Sequence, residues 1–170
     1  MMSHAWRTLR TICTLLFLLL CFSRPFAIAK DFSTIELKVT DYPVVEDGAY
    51  TSMEEVSVYL QVFGRLPQNF ITKRQAAALG WDSLVGNLDE VAPGYSIGGD
   101  RFGNYEGKIN PMDGNRHEWQ ECDINYHGGH RNGQRIVFSQ YGLIFYTDDH
   151  YHTFRQVCIV GGTFFGNHER

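Results

Sequence analysis

From Ser96 to Val160 the chain repeats one texture. Ser96–Arg101, His117–Tyr126, Gln134–Ser139, Leu143–Thr147 and Thr153–Val160 are short runs separated by Gly, Asn and Asp turns. Such runs read as strands. Tyr141-Gly142 is a short connection, which implies an antiparallel hairpin. Upstream the spacing is helical. Ser52-Met-Glu-Glu55 reads as a capping box, with Met53, Val56, Leu60 and Phe63 on one face until Gly64 and Pro67. Thr72 starts a helix over Lys73–Leu79 with Gly80 placed for a left-handed cap, and Asn87–Val91 forms a third short turn before Pro93. Helices first and strands second predict an α+β domain, its helices on one face of an antiparallel sheet. The other face is then free for a long polymeric ligand.

The N-terminal part carries different information. Thr34–Thr40 alternates cleanly, with Ile35, Leu37 and Val39 apolar, so it reads as a half-buried strand. Residues 30–49 therefore form either an edge strand of the domain or a pro-segment. Before them, Arg7 and Arg10 precede an uncharged run, Thr11–Ser23, that is shorter than the roughly 20 residues of a membrane span. With Ala27-Ile28-Ala29 behind it, the run reads as a signal peptide cleaved after Ala29. Residues 1–29 are thus an export signal, 50–160 the main domain and 161–170 a tail. The product is expected outside the cell or in the periplasm, with no membrane span.

Composition limits the partners. At 44% apolar and 20% charged, the chain is an ordinary globular one, not a disordered or coiled-coil protein. Its net charge is −4, a poor footprint for nucleic-acid binding if only the sum counted. Losing Arg7, Arg10 and Arg24 with the signal leaves 12 cations against 19 acids, a net charge of −7. Lys30–Glu55 alone contributes −5 of this. Cleavage also removes Cys13 and Cys21. Cys122 and Cys158 remain, and read as one disulfide of an exported protein or as two buried thiols.

Alternation within His117–Tyr126 puts Glu121, Asp123 and Asn125 on the polar, open face of the sheet and Cys122, Ile124 and Tyr126 on the other. Arg131 and Arg135 bracket the next turn, His150 comes after the Leu143–Thr147 strand, and Lys73 starts the second helix. A carboxylate, an imidazole and three cations from separate segments make an acid–base site with an anion clamp. Singly, each also has an ordinary reading as a solvated strand, turn or helix residue. His127-Gly-Gly-His130, with His117 nearby, lacks standard zinc spacing and a flanking Cys pair, so turn histidines are expected and no metal.

The ordered segments Leu66–Lys73, Ala78–Trp81, Gly86–Leu88, Val91–Gly94, Ser96–Asp100, Asn104–Lys108, Asp123–Tyr126, Arg131, Arg135-Ile136, Asp149–Tyr151 and Thr153-Phe154 closely resemble the barnase-like microbial ribonucleases, from about Met53 to Val157. The resemblance implies N-terminal helices on a five-stranded antiparallel sheet. It also implies a secreted endoribonuclease that cuts single-stranded RNA 3′ of guanine without a cofactor. By the same resemblance Glu121 is the general base, His150 the general acid, and Lys73, Arg131 and Arg135 the cations around the phosphate. Phe102, Gly103, Asn104, Tyr105 and Glu106 make the guanine loop, Tyr151 lines the site, and Asp100 organises the cations. A monomer is expected, with a small acidic barstar-like inhibitor protein as partner.

Three departures stand out. Tyr105 replaces a common Arg, two extra residues lie between Lys108 and Trp119, and the two cysteines have no counterpart in the barnase pattern. The same fold could also serve a non-catalytic RNA- or inhibitor-binding module, or an antibacterial ribonuclease toxin.

Overall fold

The five strands of the second half pair in sequence order as an antiparallel meander. The computed structural model describes residues 33–111 and 116–161. In it β3 (Ser96–Phe102), β4 (Trp119–Asp123), β5 (Arg135–Ser139), β6 (Ile144–Thr147) and β7 (Arg155–Val160) form consecutive antiparallel pairs. The sheet is wider than the expected five strands. β1 (Thr34–Lys38) adds in parallel to β7, and β2 (Phe70–Ile71) adds in parallel to β3. The result is a mixed, seven-stranded sheet in the order β1-β7-β6-β5-β4-β3-β2. Both additions are parallel pairings between segments far apart in sequence, which alternation within a run cannot reveal. The proposed export signal lies outside the described residues, as do residues 162–170.

Among the described residues three α-helices precede the meander: α1 (Met53–Phe63), α2 (Lys73–Ala78) and α3 (Leu88–Val91). Ser52 caps α1 through the Glu55 N–H. The Glu55 carboxylate accepts the Ser52 hydroxyl at 2.6 Å, so the box is closed side chain to side chain. At α2 the box is complete, with the Gln75 amide oxygen on the Thr72 N–H and the Thr72 hydroxyl on the Gln75 N–H.

Helix α1 is buried on more than its sequence stripe. Val56 and Leu60 pack against Cys122, Ile124, Ile136, Ile144 and Tyr146 of the sheet. Val58 and Tyr59 are also buried, because the segment after β1 crosses the outer side of the helix. The Tyr59 hydroxyl donates to the Glu46 carbonyl, Tyr50 packs on the Tyr59 ring, and Leu37, Tyr42 and Val44 join the same core. Thr34–Lys38 is therefore an edge strand, and the segment from Val39 to Tyr50 is a strap around α1.

The opposite face of the sheet is not bare. Ile109, Trp119, Val137, Phe145 and Phe154 form a second core there, with Phe102, Leu143 and Tyr151 against it. Cys122 belongs to the helix-side core. Cys158 alternates with Val157 and Ile159, which face the helix side, so it points to the other face. The two cysteines are three strands apart, about 14 Å at ordinary strand spacing, and both are free thiols. The disulfide expectation is thereby corrected. The strand containing Glu121 is also shorter than expected. It ends at Asp123, Asn125 turns to φ +53°, and Tyr126 joins Ala76, Leu88 and Ile97 in a third cluster.

Leu37→Ala removes a buried side chain that ties the strap and β1 to the main core. Urea unfolding should show a loss of about 2–4 kcal/mol with unchanged slope. A loss below about 0.5 kcal/mol would mean that β1 is only laid against the sheet.

Candidate active site

The site forms on the sheet face away from α1, where β4 presents Trp119, Glu121 and Asp123 in alternation. β3 bulges between Gly98 and Asp100, with Gly99 at φ +88°, a conformation a side chain would strain. The bulge sets Asp100 opposite Glu121. Asp100 Oδ2 accepts the Lys73 backbone N–H at 2.8 Å, fixing the start of α2 over the sheet. From there Lys73 Nζ reaches Glu121 Oε1 at 2.6 Å, and the Tyr151 hydroxyl donates to Glu121 Oε2 at 2.7 Å.

Glu121 is 7% exposed, not open to solvent as strand alternation suggested. Alternation gives the face, but Lys73 from α2 and Tyr151 from the turn after β6 reach over it onto the carboxylate, and Ile109 packs on Trp119 and Val137 elsewhere on the same face. Burial pushes the Glu121 carboxyl upward. The bonds from Lys73 and Tyr151 and the charges of Lys73 and Arg131 outweigh it and hold the group below the ordinary value of 4.5. The same contact raises the Tyr151 phenol, through burial first and then its bond to the Glu121 carboxylate. Tyr151 thus stays a donor.

Asp123, two residues on, is 1% exposed and holds both arginines. Arg131 grips it with a two-pronged bond, Nε to Oδ2 and Nη2 to Oδ1, each 2.6 Å. Arg135, its partner across the β4–β5 ladder, places Nε 2.9 Å from Oδ1. That N–H makes no hydrogen bond, so the contact is one of charge. Arg135 Nη1 donates instead to the Gln134 carbonyl and the Asn132 amide oxygen. Asn132 in turn donates to the carbonyls of Ile124 and Asn125, which fixes the turn that carries Arg131. Asp123 is therefore the acid that holds the two arginines, while Asp100 holds the start of the helix that carries the third cation, Lys73. The sequence carried the signal, an acid two residues from Glu121 and an Arg across the hairpin, but only the register pairs them.

His150 and Tyr151 sit at φ +57° and +70°, in a turn that non-glycine residues rarely adopt. Asp149 holds it. One carboxylate oxygen accepts from the N–H groups of His152 and Thr153 and the Thr147 hydroxyl, and the other from the Thr153 hydroxyl. These bonds, those of Thr153 first, keep Asp149 far below the ordinary carboxylate range. Asp149 was not singled out by the sequence. The exposed His150 ring stacks on Tyr151 at 5.2 Å, and Tyr151 stacks on Phe102 at 5.4 Å.

Beyond Phe102 lies a pocket of about 180 Å³ lined by Phe102, Gly103, Asn104, Tyr105, Glu106, Lys108 and Tyr151. Asn104 shapes it from within the loop. Its amide donates to the Ile109 carbonyl and accepts the Ile109 N–H, so this side chain is spent on the loop. Lys108 ties pocket and cluster together, donating to the Tyr151 carbonyl at 2.9 Å and pairing with Glu106 at 2.7 Å. The bond and charge of Lys108 lower the Glu106 carboxyl, which keeps it an acceptor. The histidines read as turn residues are dispersed: His127 and His130 are exposed, and His117 stacks on Trp119.

A buried carboxylate held ionised, fixed cations beside it, an imidazole and a pocket for a flat ring make the equipment of a phosphodiester-cleaving protein. The model of the ribonuclease family matches residues 54–158, a span holding every residue of the cluster. A ribonuclease from Heyndrickxia coagulans is 51% identical over 106 residues, 62% of this chain and 95% of that protein. Ribonucleases from Bacillus intermedius and Bacillus pumilus are also 51% identical over 106 residues, and the match covers 64% of each. The chain belongs to the microbial, barnase-like ribonuclease family, and its substrate is RNA. Strand β1 and its strap lie outside the matched span.

Asp123→Asn leaves two guanidinium groups without their buried counter-charge. It should cost about 3–5 kcal/mol in urea unfolding. A loss under about 1 kcal/mol would show that the arginines are held by other contacts.

Proposed function

We propose that the protein is a secreted endoribonuclease that cuts single-stranded RNA 3′ of guanine, without a metal, through a 2′,3′-cyclic phosphate. The observation that carries this reading is Glu121. It is a buried carboxylate kept ionised by Lys73 and Tyr151, and Tyr151 also reaches His150 and the pocket.

In this reading Glu121 takes the proton from the ribose 2′-hydroxyl. The 2′-oxygen attacks phosphorus, and the bond from phosphorus to the 5′-oxygen breaks. His150 gives its proton to that leaving oxygen as the general acid. The products are a 2′,3′-cyclic phosphate and a free 5′-hydroxyl. With roles reversed, the same pair adds water across the cyclic ester and leaves a 3′-phosphate. Charge builds on the phosphoryl oxygens in between, where Lys73, Arg131 and Arg135 stabilise it as fixed groups needing little reorganisation. DNA, lacking the 2′-hydroxyl, is not a substrate.

Base choice falls to the pocket. Glu106 is an ionised acceptor that suits the adjacent N–H donors of guanine, and Phe102 and Tyr151 offer aromatic faces to the ring. Export is supported by the uncharged Thr11–Ser23 run and Ala27–Ala29. A small acidic inhibitor protein fits the cationic cluster by charge, and a monomer is the form proposed.

RNA should be degraded in EDTA, and His150→Ala should lower the rate at least about a hundredfold. Cleavage that appears only with added metal, or full activity in H150A, would overturn the reading.

The pH profile is a separate check. Lys73 supplies the leading forces that lower Glu121 against burial. In Lys73→Met, burial acts with less opposition, the carboxyl rises, and the base is protonated at higher pH. The acid limb of kcat/KM should therefore move to higher pH beyond the general loss of rate. An unmoved acid limb would show that Glu121 is not the titrating base.

A further inference from the structure

The tip of the pocket loop carries Tyr105, 92% exposed and the most exposed large apolar side chain among the described residues. Its backbone is held. The Gly107 N–H donates to the Asn104 carbonyl, and the Asn104 side chain ties the loop to Ile109. The ring leans on Gly103, where a Cβ would collide with it. Phe102 and Tyr151 stack with each other inside the pocket, whereas Tyr105 belongs to no aromatic pair among the described residues. An aromatic ring thus stands on a held loop at the pocket rim with its surface free.

Single-stranded RNA is the ligand whose chemistry matches that surface, since every base has a flat face that stacks on an aromatic side chain. The pocket's volume suits one base, so a second base must lie outside it. Tyr151 marks the way out for the 3′ side, because its hydroxyl sits on Glu121 and its ring on His150. Tyr105 has no hydrogen bond or ion pair to that cluster among those described, and sits at the loop tip instead. We propose that Tyr105 is a stacking subsite for the base immediately 5′ of the guanine. This rests on the reading of the pocket given above. It gives Tyr105 a role of its own: in place of a cation drawn to phosphate by charge, the loop offers an uncharged platform to a base.

The test compares kcat/KM for three substrates: the dinucleotide GpU, the trinucleotide ApGpU, and the same trinucleotide with its first base removed. In the wild-type protein ApGpU should exceed the abasic trinucleotide by between about fivefold and a hundredfold. Tyr105→Ala should bring that ratio to about one, and Tyr105→Phe should keep it. The ratio should also hold between low and high salt, because both trinucleotides carry the same phosphates. A wild-type ratio of one, or a ratio unchanged in Y105A, overturns the proposal. Failure to cleave GpU at all overturns the pocket reading instead, so the two failures are distinct.

Discussion

The active face is organised around one buried carboxylate. Asp123 and Arg135 are each 1% exposed, and taking such charges from water is costly unless they are paired closely. Asp123 meets that requirement twice, with the two-pronged Arg131 and with Arg135 across the ladder. The arrangement is possible because β4 and β5 are in a register that sets Asp123 opposite Arg135. Secondary structure thereby fixes cations close to Glu121, where flexible surface side chains could not be held as firmly.

A second constraint is the turn after β6. Two consecutive non-glycine residues, His150 and Tyr151, take positive φ there. Asp149 offsets that strain with bonds to Thr147, His152 and Thr153. The turn puts one aromatic residue in contact with three parts of the site at once: the Glu121 carboxylate, the His150 ring and the Phe102 wall of the pocket. Tyr151 is thus a structural hinge-pin as well as a donor, and the proposed base, acid and pocket are coupled through it.

Much of this was legible in the sequence where the signal is local. Alternation located the five antiparallel strands, and Ser52 and Thr72 marked the starts of α1 and α2. Alternation also placed Glu121 opposite to Ile124 correctly, yet it could not show that Lys73 and Tyr151 close over that face and leave the carboxylate buried. Leu37 and its strand were readable as a strand, but not as the parallel neighbour of β7. The cysteines stayed undecided in the sequence for a similar reason. Their count suggested a bond, while topology puts them three strands apart on opposite faces. Asp123 meets Arg135 only through the register of β4 and β5, whereas Asp149 works locally, bonding Thr147, His152 and Thr153 within one turn.

Charge obeys the same logic. The net charge of −4 argues against a polyanionic ligand only if charge is summed, and seven of the acids lie in Lys30–Glu55, upstream of the cluster. In the proposed function the local field of Lys73, Arg131 and Arg135 is what a phosphate meets. Central to the proposed function is a metal-free transfer to the 2′-oxygen at a base chosen by the Glu106 pocket. The most direct test is a panel of GpU, ApU, CpU and UpU in EDTA, with cyclic phosphates resolved over time. GpU should be cleaved fastest, and guanosine 2′,3′-cyclic phosphate should appear before the 3′-phosphate. Equal rates across the panel, or a 3′-phosphate formed with no cyclic precursor, would contradict it.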